Sequence, residues 1–303
     1  MAFTLLAGSS HPKLSAALAQ KLGFPLGECR IERFPDGESE IEVQCDVRGQ
    51  DVFVLQALNA PVGEYLLELT LMADAIHRGG AKSVTAVVPY LGYARQDRRE
   101  LGREPLGARV MAELLSAGRI DRLVCLDLHS RAVEGCFPQP VEHATAIDAL
   151  AKELADVPRK SVVVSPDLGA VKRAEAYAQL LDLPVAIIHK QRLSGAEVAV
   201  RKVVGDVKGL HPVIVDDMIS TGGTIAASVK ACLDSGSQSE VTIAATHGLF
   251  VGTAFARLSA LPIRKVVCTD SVPQPEKTPF TLQIVSAAPM LAAVVQRLLA
   301  ENR

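Results

Sequence analysis

Two adjacent carboxylates, Asp216 and Asp217, follow an apolar run at 213–215 and precede a turn of small residues, Ser220, Thr221, Gly222, Gly223 and Thr224. An amphipathic segment at 225–233 continues from that turn. Strand, acidic tip, glycine turn and helix start are the parts of an anion site. Backbone N–H groups at a helix N-terminus favour negative charge, and glycines let that backbone come close to it. Two carboxylates just upstream can accept hydrogen bonds from vicinal hydroxyls. The pattern suits a sugar phosphate, although by itself it also fits an acidic strand-to-helix connection.

A second block, 87–99, carries Tyr90, Tyr93, Arg95, Gln96, Arg98 and Arg99 after an apolar run. Guanidinium forks suit phosphate oxygens, while amides and aromatic faces suit a base. By composition it is equally a solvated basic loop. A third, charged and alternating stretch at 28–43 looks like a protruding hairpin with an Asp36-Gly37 turn and Phe34 beside it. Turn chemistry accounts for Asp36 and Gly37 but not for an exposed Phe34.

The elements that must place these residues are legible as alternation. Strand candidates fall at 51–56, 83–88, 123–128, 162–165, 185–188, 213–215, 241–246 and 265–269. Helix candidates fall at 12–22, 65–78, 107–116, 146–154, 168–181, 224–233 and 290–301. Such βαβ alternation, with runs apolar on both faces, predicts parallel sheets covered by helices. Ligands then bind beyond the carboxyl ends of strands, where Asp127, His129, Pro166, Asp167, Asp216 and Asp217 cluster.

With 303 residues, 49% of them hydrophobic, the chain is long enough for two domains with sizeable cores. A boundary is expected at 145/146, after Phe137-Pro138-Gln139-Pro140, with a closing helix at 289–303. A net charge of −2 offers no general basic surface for nucleic acid. No apolar run reaches the ~18–20 residues of a membrane span. Residues 1–8 read as a first strand rather than a leader. Six scattered cysteines, without a C-x-x-C pair, suit buried thiols in the cytoplasm.

Several segments closely resemble the ribose-phosphate pyrophosphokinases. Pro89-Tyr90-Leu91-Gly92-Tyr93-Ala94-Arg95-Gln96-Asp97-Arg98-Arg99 resembles that family's ATP loop, and Arg33-Phe34-Pro35-Asp36-Gly37-Glu38 resembles its hairpin. Residues 213–228 resemble the phosphoribosyl pyrophosphate (PRPP) motif, which PRPP-consuming transferases share. Asp127-Leu128-His129 and Pro166-Asp167-Leu168-Gly169 match further family segments. The resemblance implies an α/β fold of two phosphoribosyltransferase-type domains, each a mainly parallel sheet flanked by helices, with the active site between them. It implies transfer of pyrophosphate from ATP to ribose 5-phosphate.

On that resemblance Arg95 and Gln96 bind ATP, with Phe34, Asp36 and Glu38 reaching it from a neighbouring subunit. Asp216, Asp217, Ser220, Thr221, Gly222, Gly223 and Thr224 hold ribose 5-phosphate. His129 and Asp167 assist Mg²⁺, and Lys190 and Arg192 are the catalytic cations of a lid expected at 190–209. The other histidines are expected to be structural. A homo-oligomer is implied, with a hexamer favoured. Three departures stand out: Gln191 replaces an arginine between the lid cations, Ser220 replaces an acidic residue, and Ala132-Val133-Glu134-Gly135 replaces Gln-Ile-Gln-Gly. The last departure puts regulation by phosphate and ADP in question, and the first leaves a silent regulatory subunit as a rival reading. A PRPP-consuming transferase is the other rival, and it explains 213–228 alone.

Overall fold

The computed structural model describes residues 3–99, 102–191 and 200–301. In chain order the elements are β1 (Phe3–Ala7), α1 (Pro12–Leu22), β2 (Cys29–Arg33), β3 (Ser39–Val43), β4 (Asp51–Leu55), α2 (Val62–Arg78), β5 (Ser83–Val88) and α3 (Gly107–Ala117). Next come β6 (Arg122–Leu126), β7 (Val141–Ala144), α4 (Ile147–Glu153), β8 (Ser161–Ser165), α5 (Val171–Leu181), β9 (Val185–Gln191) and β10 (Val200–Val204). The chain continues through β11 (His211–Ile219), α6 (Gly223–Asp234), β12 (Val241–Gly248), α7 (Ala254–Ser259), β13 (Ile263–Thr269), β14 (Leu282–Val285) and α8 (Ala288–Glu301). The expected α/β alternation is present, with parallel sheets flanked by helices.

Two compact units form. The first runs up to Thr145 and takes in Ser271–Pro273 and the chain from Ser286 onward; the second comprises Ala146–Asp270 and Gln274–Val285. In the first unit a five-stranded sheet has the order β1-β4-β5-β6-β7, and every pairing is parallel. All five residues of β4 are buried, as a strand covered on both faces requires. Local chemistry sets the helix ends. His11 accepts the Leu14 N–H at 3.3 Å, Pro12 opens α1 where no intrahelical donor is needed, and Gly23 closes it at φ 74°.

Helix α8 packs against α1 and β7 within this unit. A charge contact ties it down: Glu142 in β7 accepts from Arg297 at 2.9 Å and from Arg122 at 2.5 Å. The hairpin β2–β3 pairs Cys29 with Val43 through Arg33 with Ser39. Its half-buried Ile31, Ile41, Cys29 and Val43 join the core, so one face of the hairpin is anchored.

The second unit holds a seven-stranded sheet, β10-β9-β8-β11-β12-β13-β14. Among the described residues of this sheet, only the β9–β10 pair is antiparallel. That pair reshapes the expected lid: 190–191 and 200–204 are strand, while residues 192–199 lie outside the described residues. Strand β11 runs well past Val215, because its ladder with β12 persists to Ile219 opposite Gly248. The carboxylates expected at a strand tip therefore lie within the strand. Helix α5 starts at Val171 rather than 168, since Asp167 Oδ1 accepts the Ala170 N–H at 3.0 Å and holds the preceding residues as a loop.

Candidate functional site

In the second unit the chain leaves β11 through Ser220 and Thr221, and Gly222 turns it into α6 with φ 73°. A β-carbon is strained at that angle, so glycine is the fitting residue there. The carbonyls around this turn are held from one side by 249–257. Ile219 O accepts from the Leu249 and Phe250 N–H groups, each at 3.0 Å, and Ser220 O accepts from Val251 at 3.1 Å. Arg257 on α7 donates to Thr221 O at 2.7 Å. Peptide planarity sets each N–H opposite the preceding carbonyl. The N–H groups of Ser220, Thr221 and Gly222 thus face away from those donors, and the oxygens that would repel an anion are engaged elsewhere. The start of α6 adds the positive end of its dipole.

Just upstream, Asp216 Oδ1 accepts the Asp217 N–H at 2.8 Å. Both carboxylates are largely buried, with side chains 14% and 5% exposed. Burial pushes the Asp216 carboxyl well above the usual range, and the charge of Asp217 pushes it further. Arg173 opposes that shift from α5, with Nη1 at 3.8 Å from an oxygen of each carboxylate.

The first unit has its own recess. A cleft of about 440 Å³ is lined by Val62, Tyr90, Gly92, Tyr93, Arg95 and Gln96. That volume falls within the small-molecule range. Gly92 is forced by space, since a β-carbon there would stand 2.6 Å from Leu58 O. Tyr93 adopts a left-handed φ of 62°, a strained state for a bulky residue. Gln96 donates its N–H to Tyr93 O at 2.9 Å and accepts from Ala108 at 3.1 Å, which pins the loop to the start of α3. Arg95 and Gln96, expected together, do line one cleft, and both are exposed.

Phe34, Asp36 and Glu38 crown the β2–β3 hairpin, exposed and outside the lining of that cleft. Asp36 Oδ1 accepts the Glu38 N–H at 3.1 Å, and the Phe34 N–H donates to Glu38 O at 2.8 Å, so the tip is a built turn. Phe34 remains 46% exposed. Arg33, at the tip end of β2, reaches Glu64 of α2 at 2.5 Å.

Residues 3–118 match the family described as the N-terminal domain of ribose phosphate pyrophosphokinase, and residues 141–265 match the phosphoribosyl transferase domain. A ribose-phosphate pyrophosphokinase of Caldanaerobacter subterraneus subsp. tengcongensis is 40% identical over 297 residues, covering 97% of this chain and 94% of that protein. Its counterpart from Corynebacterium efficiens is 41% identical, with 97% and 92% covered. The solved phosphoribosylpyrophosphate synthetase of Mycobacterium smegmatis is 39% identical and has a TM-score of 0.92, covering 99% of this chain and all of that one. The chain belongs to the ribose-phosphate pyrophosphokinase family. A likeness that spans both units at this level sets aside the rival reading as a PRPP-consuming transferase, which rests on 213–228 alone.

The remaining candidate residues lie in three places. His129 is an exposed residue of the first unit, just after β6, where Asp127 takes φ 38°. Asp167 is exposed after β8 in the second unit. Lys190 lies in β9, its backbone paired with Arg201, whereas Arg192 lies outside the described residues. Among the described residues no group of three or more His, Cys, Asp or Glu side chains is gathered to hold a metal. His129 and Asp167 are both exposed, and Asp167 also accepts the Ala170 N–H; Mg²⁺ takes few protein ligands and keeps water and phosphate oxygens.

Sequence reasoning overlooked Arg173, Arg257 and the 249–251 backbone, all drawn in from distant elements. Nothing local marks them. Cys125, Cys232 and Cys268 are buried thiols pushed up to about 12 by desolvation, and none of the six cysteines is paired. No helix among the described residues is long and apolar enough to cross a membrane.

Proposed function

We propose that this chain transfers the pyrophosphoryl group of ATP to O1 of ribose 5-phosphate, giving PRPP and AMP, with the residues described above in the following roles. The observation that carries the reading is the turn before α6, its carbonyls held away by 249–257 beside the buried pair Asp216 and Asp217. The 5-phosphate sits on the N–H groups of Ser220, Thr221, Gly222, Gly223 and Thr224, at the positive end of the helix. Asp216 and Asp217 accept hydrogen bonds from the ribose hydroxyls. Arg95 and Gln96 bind ATP in the 440 Å³ cleft. The exposed, well-built tip with Phe34, Asp36 and Glu38 lies outside that cleft's lining, which suits delivery to the ATP of a second copy in a homo-oligomer.

The bond that forms runs from O1 to the β-phosphorus; the bond that breaks joins that phosphorus to the oxygen leaving on AMP. Little covalent work falls to the protein, so positioning and charge neutralisation carry the rate. Lys190 and Arg192 stabilise the charge on the transferring group. His129 and Asp167 would hold Mg²⁺ with the substrate phosphates, where the ion neutralises triphosphate charge.

The test is AMP formation by the purified protein. AMP that appears only when ribose 5-phosphate, ATP and Mg²⁺ are all present supports the assignment. A folded, oligomeric preparation that makes none overturns it and favours the silent regulatory subunit, a reading kept open by Gln191 between the lid cations.

A further inference from the structure

Arg173 stands in the first turn of α5, at its third residue. That is a poor place for a cation, because the helix dipole presents its positive end there. Lys172 precedes it, no acidic residue offsets either charge in that turn, and Ala170 gives no side-chain cap. The helix gains nothing from this arginine. Its partners lie across the fold: Asp216 Oδ1 and Asp217 Oδ1, each 3.8 Å from the same guanidinium nitrogen. Neighbouring side chains on a strand leave opposite faces, so one cation equidistant from both brings together two groups that the strand alone would part. All three side chains are at least 85% buried, at 15%, 14% and 5% exposed.

At 3.8 Å the contact is an attraction between charges and lies beyond hydrogen-bond reach. The carboxylate oxygens are held in place without spending their lone pairs on Arg173. Adjacent hydroxyls of a pentose need acceptors of that kind.

We propose that Arg173 is the positioning residue of the acidic pair and that it sets affinity for the vicinal diol of the sugar phosphate through Asp216 and Asp217. The inference rests on the ribose 5-phosphate reading of this site. Arg173 acts on the sugar and not on the nucleotide. A lysine serves in its place in part, since a point charge needs no fork geometry.

Isothermal titration with ribose 5-phosphate alone, in the absence of ATP, tests it. Arg173→Ala is expected to weaken binding by about tenfold or more, as for coupled neighbours, while Arg173→Lys keeps most of the affinity. ATP affinity of both variants stays at the wild-type value. In an Asp216→Asn, Asp217→Asn background, Arg173→Ala costs no further sugar affinity. An Arg173→Ala protein that binds as tightly as wild type, or loses the same factor in both backgrounds, overturns the role. Wild-type protein that fails to bind ribose 5-phosphate overturns the site reading, and this inference with it.

Discussion

Arg257 on α7 donates to the carbonyl of Thr221, 36 residues earlier, at 2.7 Å. This bond reaches the turn from outside and turns a carbonyl away from the place where an anion would sit. The orientation of this turn thus depends on a helix of only six residues that carries no recognisable motif. Arg257→Ala is expected to loosen the turn and weaken ribose 5-phosphate binding, with a stability loss of about 1 kcal/mol, the usual size for one hydrogen bond. Titration calorimetry and urea unfolding check the two effects. Intact sugar affinity in the variant would show that the turn holds its shape unaided.

Asp216→Asn should trade activity for stability. Burial and then Asp217 raise the folded carboxyl above its unfolded value of about 3.9. The folded state therefore binds more protons across that interval, and this group's contribution to stability falls as pH rises through it. Asparagine removes the dependence. At pH 7 the variant should melt higher than wild type, the difference should shrink toward pH 4, and ribose 5-phosphate binding should weaken but stay measurable. Thermal melts across that range decide it; a gain independent of pH would contradict the charge argument.

Glu142 works in the opposite sense. Burial raises its carboxyl, but hydrogen bonds from Arg297 and Arg122 outweigh that and hold it below the usual range. Its contribution is present above the unfolded value of about 4.3 and is lost as pH falls through the lower folded value. Glu142→Gln should cost about 1.5–3 kcal/mol at pH 7, the range for hydrogen bonds to a charged group. Arg297→Ala should cost less, because that side chain is half exposed. Urea unfolding at pH 7 and below pH 4 is the check.

For the lid cations the expected signature is kinetic. Lys190→Ala and Arg192→Ala should each lower kcat by about 10²–10³, the scale of lost transition-state charge stabilisation. KM for both substrates should change far less. A change confined to KM would assign these residues to substrate binding instead.

Much of this was legible in the sequence because burial and period speak locally. Short apolar, β-branched runs such as 52–55 and 162–164 read as covered strands, and they are. The Gly222–Gly223 turn was visible because only glycine fits a positive φ comfortably. Strand β11 was read too short because its polar centre interrupts the apolar signal, and only the ladder with β12 carries it to Ile219. The four-residue β7 and β14 and the six-residue α7 are too short for a period to register. Arg173 and Arg257 acquire their roles only when separate elements meet, and composition does not encode that meeting.

The most direct measurement follows label from β-³²P-ATP in the presence of ribose 5-phosphate and Mg²⁺. Transfer of the pyrophosphoryl group as one unit predicts label in PRPP, with one AMP formed for each PRPP. Label retained in ADP, with a bisphosphorylated ribose as the other product, or no transfer by folded and oligomeric protein, would contradict it.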